Sequence, residues 1–265
     1  MIIVDDASPV PARKEIEGAK YPFGIRVIEQ LNGGPGAARN AGLQALVEST
    51  EYVAFLDSDD VWSADHLAVA LNALERTQAT FFFSNHYQLG ATAPAFERGG
   101  RLDLSRHRIE FEDVYRFCGD MSQQILTGNL IGTSTVVYRF RAHQSVRFRP
   151  EYRRAGEDYL MWLDLARDSA RFVFRTTPSV TYREGVNVFA GVSWGTPEHI
   201  ERTLDEIRFM RAALSFGESG SDIGSVLVAR IRQKQRELLR SLISSARKSP
   251  VRTLSMILAR RGDPS

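Results

Sequence analysis

Asp57, Asp59 and Asp60 stand in the stretch "EYVAFLDSDDVW", three carboxylates in four positions at the end of an apolar run. Like charges so spaced repel unless a solvated turn or a cation relieves them. Mg²⁺ or Mn²⁺ carrying a nucleotide diphosphate needs only one or two protein carboxylates, because phosphate oxygens and water complete its shell. Asp57 and Asp59, a D-x-D, supply that number; the alternative is an Asp-rich turn before a helix. Asp5 and Asp6 close a second apolar run, "MIIVDD". A carboxylate there can accept from the imide N–H of a uracil-like base, or can merely form an acidic turn before Pro9. "NGGPGAARN", residues 32–40, offers free backbone N–H groups at a helix start, where phosphate is favoured. Arg39, one turn in, can pair with a diphosphate. The segment has no G-K-[ST] and matches G-x-G-x-x-G only in part, and a capping loop is the alternative. Glu157 and Asp158 precede "YLMWLDLARD". Adjacent acids at a helix start cap it, or one of them serves as a general base toward a hydroxyl. Trp162 lies one turn beyond Asp158 on the same face. Its ring either packs in the core or meets the apolar face of a sugar.

These groups need elements to hold them. "IIVD", "IRVIEQ", "YVAFLD" and "TFFFSN" read as short apolar strands. A helix is expected from Gly36, and another after Ser63 as N-cap, with Leu67, Ala70, Leu71 and Leu74 on its buried face. Alternation of apolar strands with amphipathic helices predicts an α/β fold with a mostly parallel sheet covered on both faces. Ligands then bind at the carboxyl ends of the strands, where both acidic clusters lie. Residues 90–111 read as a loop, "GTSTVVYR" as a strand, "GEDYLMWLDLARD" as a helix, "RFVFRT" and "SVTYRE" as late strands, and the chain from Pro197 as helical with breaks at "FGESGSD" and Pro250.

The 265 residues suffice for one sizeable core and a smaller subdomain, and 43% hydrophobic with 25% charged residues is an ordinary globular balance. A single cysteine, Cys118, excludes an internal disulfide and fits a reducing compartment. No apolar run nears the ~20 residues of a membrane span, and "MIIVDDASPV" has no basic region of a signal peptide, so a cytoplasmic protein is expected. The net charge of +2 conceals an asymmetry: residues 226–265 hold ten Lys and Arg against two acids, a net of +8, and the rest holds 24 against 30, a net of −6.

In order, "IIVDDAS", "NGGPGAARNAG", "YVAFLDSDDVW", "GTSTVVYR" and "GEDYLMWLDLA" resemble the family 2 glycosyltransferases of the GT-A fold, over about residues 2–185. The resemblance implies an inverting transfer of a sugar from a nucleotide-diphosphate donor to a hydroxyl acceptor, with Mg²⁺ or Mn²⁺. It implies Asp6, Arg39 and Asp57 as nucleotide-sugar-binding residues, Asp59 and Asp57 as metal ligands, Asp158 as the catalytic base, and Glu157 and Trp162 at the acceptor. Members of the family carry an apolar strand and a helix before the "VDDGS" segment, and here the chain starts at that second strand. "TYREGVNVF" lacks the histidine that some relatives place near the metal, and His199, in an expected helix, is a poor substitute.

Three parts are expected: residues 1–90 for the nucleotide sugar, 91–196 for the acceptor and catalysis, and 197–265 as a basic helical extension. The partners implied are the donor and a saccharide or lipid-linked acceptor, as in polysaccharide synthesis, and no nucleic acid. In the extension Leu227, Ile231, Leu238 and Leu242 share a face with Arg230, Arg232, Lys234, Arg236 and Arg240 around it, and Val251, Leu254 and Leu258 repeat the pattern. That face either packs on the body or makes a peripheral contact with the inner face of the membrane. A nucleotidyltransferase would share the metal and diphosphate but not "GEDYLMW". A binding relative without turnover would share all the motifs.

Overall fold

The computed structural model describes residues 1–100, 102–168, 170–183, 193–216 and 222–248. In chain order the elements are β1 (Ile2–Asp5), α1 (Ala12–Glu15), β2 (Arg26–Glu29), α2 (Pro35–Gln44), β3 (Tyr52–Ala54), β4 (Asp60–Trp62), α3 (His66–Thr77), β5 (Phe81–Tyr87), β6 (Arg108–Phe111), β7 (Val114–Arg116), α4 (Met121–Gly128), β8 (Val137–Arg139), α5 (Glu157–Arg167), β9 (Phe172–Tyr182), α6 (Pro197–Ala213) and α7 (Asp222–Lys248). They form two compact units, residues 1–153 with 157–186, and residues 154–156 with 187–265.

In the first unit β1 and β2 make a separate parallel pair, and the larger sheet runs β3-β8-β5-β9-β7-β6 with β4 added on β9. The expected α/β layering is present, but the larger sheet is mixed rather than mostly parallel. Only β5 and β9 run parallel in it, while β3–β8, β5–β8, β7–β9, β6–β7 and β4–β9 are antiparallel. The two expected late strands are one eleven-residue strand, β9. Its middle bulges between the residues facing Ser84 and His86, where Pro178 has no N–H to give a ladder.

Burial on both sides explains the apolar run of β5. Phe82 faces Val137 and Val173 in register and packs with Ala70, Ala73 and Leu74 of α3. Phe81 points the other way, facing Tyr138 and Phe172 in register and meeting Trp162 of α5 edge-on at 5.4 Å. Such aromatic pairs add about 0.5–1.5 kcal/mol beyond area burial. α3 begins later than expected: Asp65, not Ser63, stands at its N-cap, and the Ser63 hydroxyl donates to Asp65. Its buried face is correspondingly rotated, leaving Leu67 and Leu71 exposed and burying His66, Ala73 and Thr77. "GTSTVVYR" divides into a 3-10 turn, Thr133–Thr135, and the short β8.

In the second unit α6 and α7 pack antiparallel. Lys234 pairs with Glu206 at 2.7 Å in their middles, and His199 meets Ser241 at 3.0 Å near the start of α6 and the end of α7. Leu227, Ile231, Ser241 and Ser245 are buried along α7, and Leu238 and Leu242 are half-buried. The apolar face expected there is therefore a packing face. The repeat of that pattern after Pro250 lies outside the described residues.

Gly132 precedes the 3-10 turn at φ −95, so its backbone is ordinary, and space is what requires glycine. A Cβ there would run into the Tyr182 hydroxyl and meet His86 Cε1 at 3.4 Å. Gly132→Ala is expected to lower stability by about 1–3 kcal/mol, as overpacking does. Tyr182→Phe in the same chain should restore part of the loss. Urea unfolding measures both, and a Gly132→Ala chain as stable as the parent would remove the steric account.

Candidate active site

The site assembles in the first unit where β1, the 32–36 loop, the 57–60 turn and the start of α5 converge. Asp5 turns inward: its carboxylate accepts from Ser8 N at 2.8 Å and Ala12 N at 2.7 Å. Those backbone bonds, Ala12 first, hold its pKa below the ordinary value. Asp6 turns toward the glycine loop. Its Oδ1 accepts from Gly33 N and Gln30 Nε2, both at 2.7 Å, and its Oδ2 from Gly34 N at 2.8 Å. Gly34 stands at φ +86, a conformation open to glycine and strained for other residues, and Pro35 begins α2 behind it. Arg153 closes over the loop, donating to Asn32 O at 3.1 Å and Asn32 Oδ1 at 2.5 Å.

Arg39 comes inward from the second turn of α2, whose Asn40 exchanges two hydrogen bonds with the Phe148 backbone. The guanidinium donates from Nη2 to both Asp57 oxygens, at 2.8 and 3.0 Å, and from Nη1 to Glu157 Oε1 at 3.1 Å. Burial opposes its charge, but the carboxylates, Asp57 foremost, outweigh burial and hold its pKa above the ordinary value. One cation thus ties α2 to the D-x-D turn and to the first residue of α5.

The turn itself is pinned by Ser134, which is wholly buried. Its hydroxyl donates to Asp60 Oδ2 and accepts from Asp57 N at 3.1 Å, and its carbonyl accepts from Trp62 Nε1 at 2.6 Å. Asp60 is pushed up to about 6, by burial first and then by the charges of Asp57 and Asp59, against the opposing Ser134 bond. Asp59 has no hydrogen bond or ion pair among the described residues. The Asp158 carboxylate accepts from Tyr159 N at 2.8 Å and is in no ion pair among the described residues. Burial, then the charge of Glu157, drives it well above the usual carboxylate range, with Arg39 opposing. Tyr182, opposite Asp60 in the β4–β9 register, stacks on the ring of His86 at 4.7 Å. Burial raises its phenol, and the charges of Asp60, Asp57 and Asp158 add to that.

The structure brings together Arg39, Asp57, Glu157 and Asp158, with Asp59 in the same turn as Asp57. It does not bring Trp162 to them. That indole is fully buried among Phe55, Phe81 and Phe148, with no partner for its N–H, so its ring is core and cannot face an acceptor. Glu157, expected at the acceptor, is buried against Arg39. His199 lies in the other unit, and residues 184–192 are outside the described residues. Ser134 and Tyr182 were not legible. Ser134 sat inside a segment that reads as strand, and only the β4–β9 register brings Tyr182 to Asp60.

Among the described residues no group of three or more His, Cys, Asp or Glu side chains is arranged to hold a metal ion. Asp59, unengaged, and Asp57 nevertheless offer the one or two carboxylates taken by an ion whose other positions are filled by phosphate and water. The residues fit a cation that arrives with a diphosphate rather than a standing metal centre.

Comparison with known proteins gives this mixed α/β chain a family. Residues 1–145 match the model described as glycosyl transferase family 2. The succinoglycan biosynthesis protein ExoW of Rhizobium meliloti is 30% identical over 217 residues, 77% of this chain and 66% of that protein. The putative teichuronic acid biosynthesis glycosyltransferase TuaG of Bacillus subtilis is 27% identical over 82% of this chain and 81% of its own length. A crystal structure of S. aureus TarS 1-349 in complex with UDP-GlcNAc superimposes with a TM-score of 0.59 at 20% identity, covering 94% of this chain and 64% of that one. The chain belongs to glycosyl transferase family 2. It spans just under two thirds of ExoW, and an uncharacterized glycosyltransferase of Rickettsia felis, 27% identical, is covered over 29% of its length.

Arg39→Met is expected to cost about 3 kcal/mol, because it strands Glu157 and Asp57 without their cation. Adding Glu157→Gln should recover part of that. Chemical denaturation of the two variants tests the clamp, and a single variant as stable as the parent would contradict it.

Proposed function

We propose that the protein is an inverting glycosyltransferase that moves a sugar from a nucleotide-diphosphate donor to a hydroxyl of a saccharide or lipid-linked acceptor, in the synthesis of a polysaccharide or other glycoconjugate. The observation that carries this reading is Asp158. It is a carboxylate of raised pKa at a helix start, in no ion pair among the described residues, and its neighbour Glu157 shares the guanidinium that grips the D-x-D. A general base works best with a pKa near the operating pH. In the step proposed, Asp158 takes the proton of the acceptor hydroxyl as that oxygen bonds to the anomeric carbon. The bond from that carbon to the diphosphate oxygen breaks, and its electron pair leaves with the diphosphate. A single displacement of this kind inverts the anomeric centre.

Asp6 fits the nucleobase role in a restricted way. A carboxylate has about four acceptor positions, three are filled by Gln30, Gly33 and Gly34, and one on Oδ2 is left for a base N–H. Asp6 thus shapes the loop and reads the base with what remains. Asp59, with Asp57, would hold Mg²⁺ or Mn²⁺, whose chemistry when bound is to neutralise charge on the diphosphate. No helix among the described residues is long and apolar enough to cross a membrane, so contact with a lipid-linked acceptor would be peripheral, through the basic C-terminal segment.

A relative that binds the donor without turnover is the second reading. The loop's hold on Asp6 and the separation of the β1–β2 pair from the larger sheet favour it. A transfer assay over a panel of UDP-sugars separates the two.

Asp158→Asn should bind UDP with Mn²⁺ as the parent does, while turnover falls by ~10²–10⁴-fold. Unchanged turnover would reduce Asp158 to a helix cap. Because the base acts deprotonated, kcat/KM should rise with pH through the raised pKa of Asp158. Glu157→Gln should move that limb to lower pH, since it removes a charge that raises Asp158 and frees Arg39 to lower it. A shift to higher pH would refute the assignment. Asp59→Asn should abolish the Mn²⁺-dependent part of UDP binding in calorimetry, and binding that still required Mn²⁺ would remove Asp59 from the metal site.

A further inference from the structure

α7 has a second face, turned away from α6. Arg232, Arg236, Leu239, Arg240, Ile243 and Arg247 are all exposed. At 3.6 residues per turn they fall within an arc of about 100°. Leu239 and Ile243, one turn apart, are 59% and 47% exposed, on a helix whose other apolar side chains have a packing face available. Between Arg232 and Arg247 no acid stands in that arc: Glu237 faces inward to Lys234 and His199. None of the four arginines has an ion pair among the described residues. Arg232, Arg236 and Arg240 repel one another at i, i+4 spacing, so the stripe is uncompensated among the described residues.

We infer that this outer stripe of α7 binds an anionic lipid surface, with Leu239 and Ile243 entering the headgroup boundary and the arginines extending along it to phosphate. Apolar residues bracketed by long basic side chains have the composition of an interfacial helix, and arginine stems cover apolar surface while their heads stay in polar surroundings. Two other occupants fit less well. A second copy would bring four uncompensated arginines against their own kind across a two-fold contact. Single-stranded nucleic acid wants aromatic rings for stacking, and α7 has none. The inference deepens the proposed function by naming the surface at which a lipid-linked acceptor would be met, and rests on that reading for its purpose only.

The test is co-sedimentation of the full chain with vesicles of phosphatidylcholine alone and of phosphatidylcholine with phosphatidylglycerol. Binding should need phosphatidylglycerol and be lost at high salt. Arg236→Gln with Arg240→Gln should weaken it about 25-fold, at ~1 kcal/mol per basic residue near the surface. Leu239→Ser with Ile243→Ser should weaken it with the charge unchanged, and Lys14→Gln with Lys20→Gln, exposed elsewhere, should leave it as in the parent. Circular dichroism verifies that each variant is folded. Equal pelleting of all variants, or equal binding to neutral vesicles, would overturn the inference. So would concentration-dependent dimerisation, or oligonucleotide binding, that disappears with the stripe. No donor or acceptor is present, so the outcome is independent of whether transfer to a soluble acceptor is found.

Discussion

The Arg39 guanidinium is the interaction on which the rest of the site depends. Three segments far apart in sequence meet on it: the second turn of α2, the turn after β3, and the first residue of α5. Burying a guanidinium is costly unless its charge is matched and its donors are used, and here two carboxylates do both. The arrangement is also directional. Asp57 is gripped by two hydrogen bonds, so its carboxylate plane is fixed, and the turn that carries Asp59 is fixed with it. Glu157 is held at the helix start, so the next residue, Asp158, is aimed without a bond of its own to the cation. The same charge pattern sets the chemistry: Glu157 is close enough to raise Asp158, and Arg39, partly spent on its partners, offsets only some of that.

A second device holds the other side of the turn. Ser134 joins the turn to β4 by three hydrogen bonds, and β4 is itself laid antiparallel on β9. The D-x-D turn is therefore bounded by Arg39 on one side and by a buried hydroxyl on the other. Gly132, two residues before Ser134, gives up its side chain so that Tyr182 can lie against the same segment. Long-range strand pairing, rather than the local turn sequence, sets the shape of the acid cluster.

That distinction explains what the sequence made legible. The ends of β1 and β2, the glycine loop, the start of α5 and the order of the motifs are local patterns, and they are legible to within a residue. The direction in which distant strands pair is not local, and the larger sheet accordingly proved mixed. Trp162 shows the same limit from the other side. Its spacing from Asp158 put both on one helical face, but a helix face near its N-terminus includes both rim and core, and one turn is enough to pass from one to the other. Ser134 and Tyr182 had no signal at all, because a serine in a strand-like run acquires meaning only from what is folded against it.

The five acids around Arg39 show how one residue type can be divided among tasks by its surroundings. Asp57 and Glu157 are neutralised by the guanidinium and are structural in that sense. Asp60 is hydrogen-bonded to Ser134 and raised by burial and by its neighbours, so it takes up a proton more readily than an ordinary carboxylate. Asp158 is raised with no partner cation of its own, which leaves it free to exchange a proton. Among the described residues Asp59 is the one of the five with neither an ion pair nor a hydrogen bond. The division among these acids follows from where one arginine places its donors.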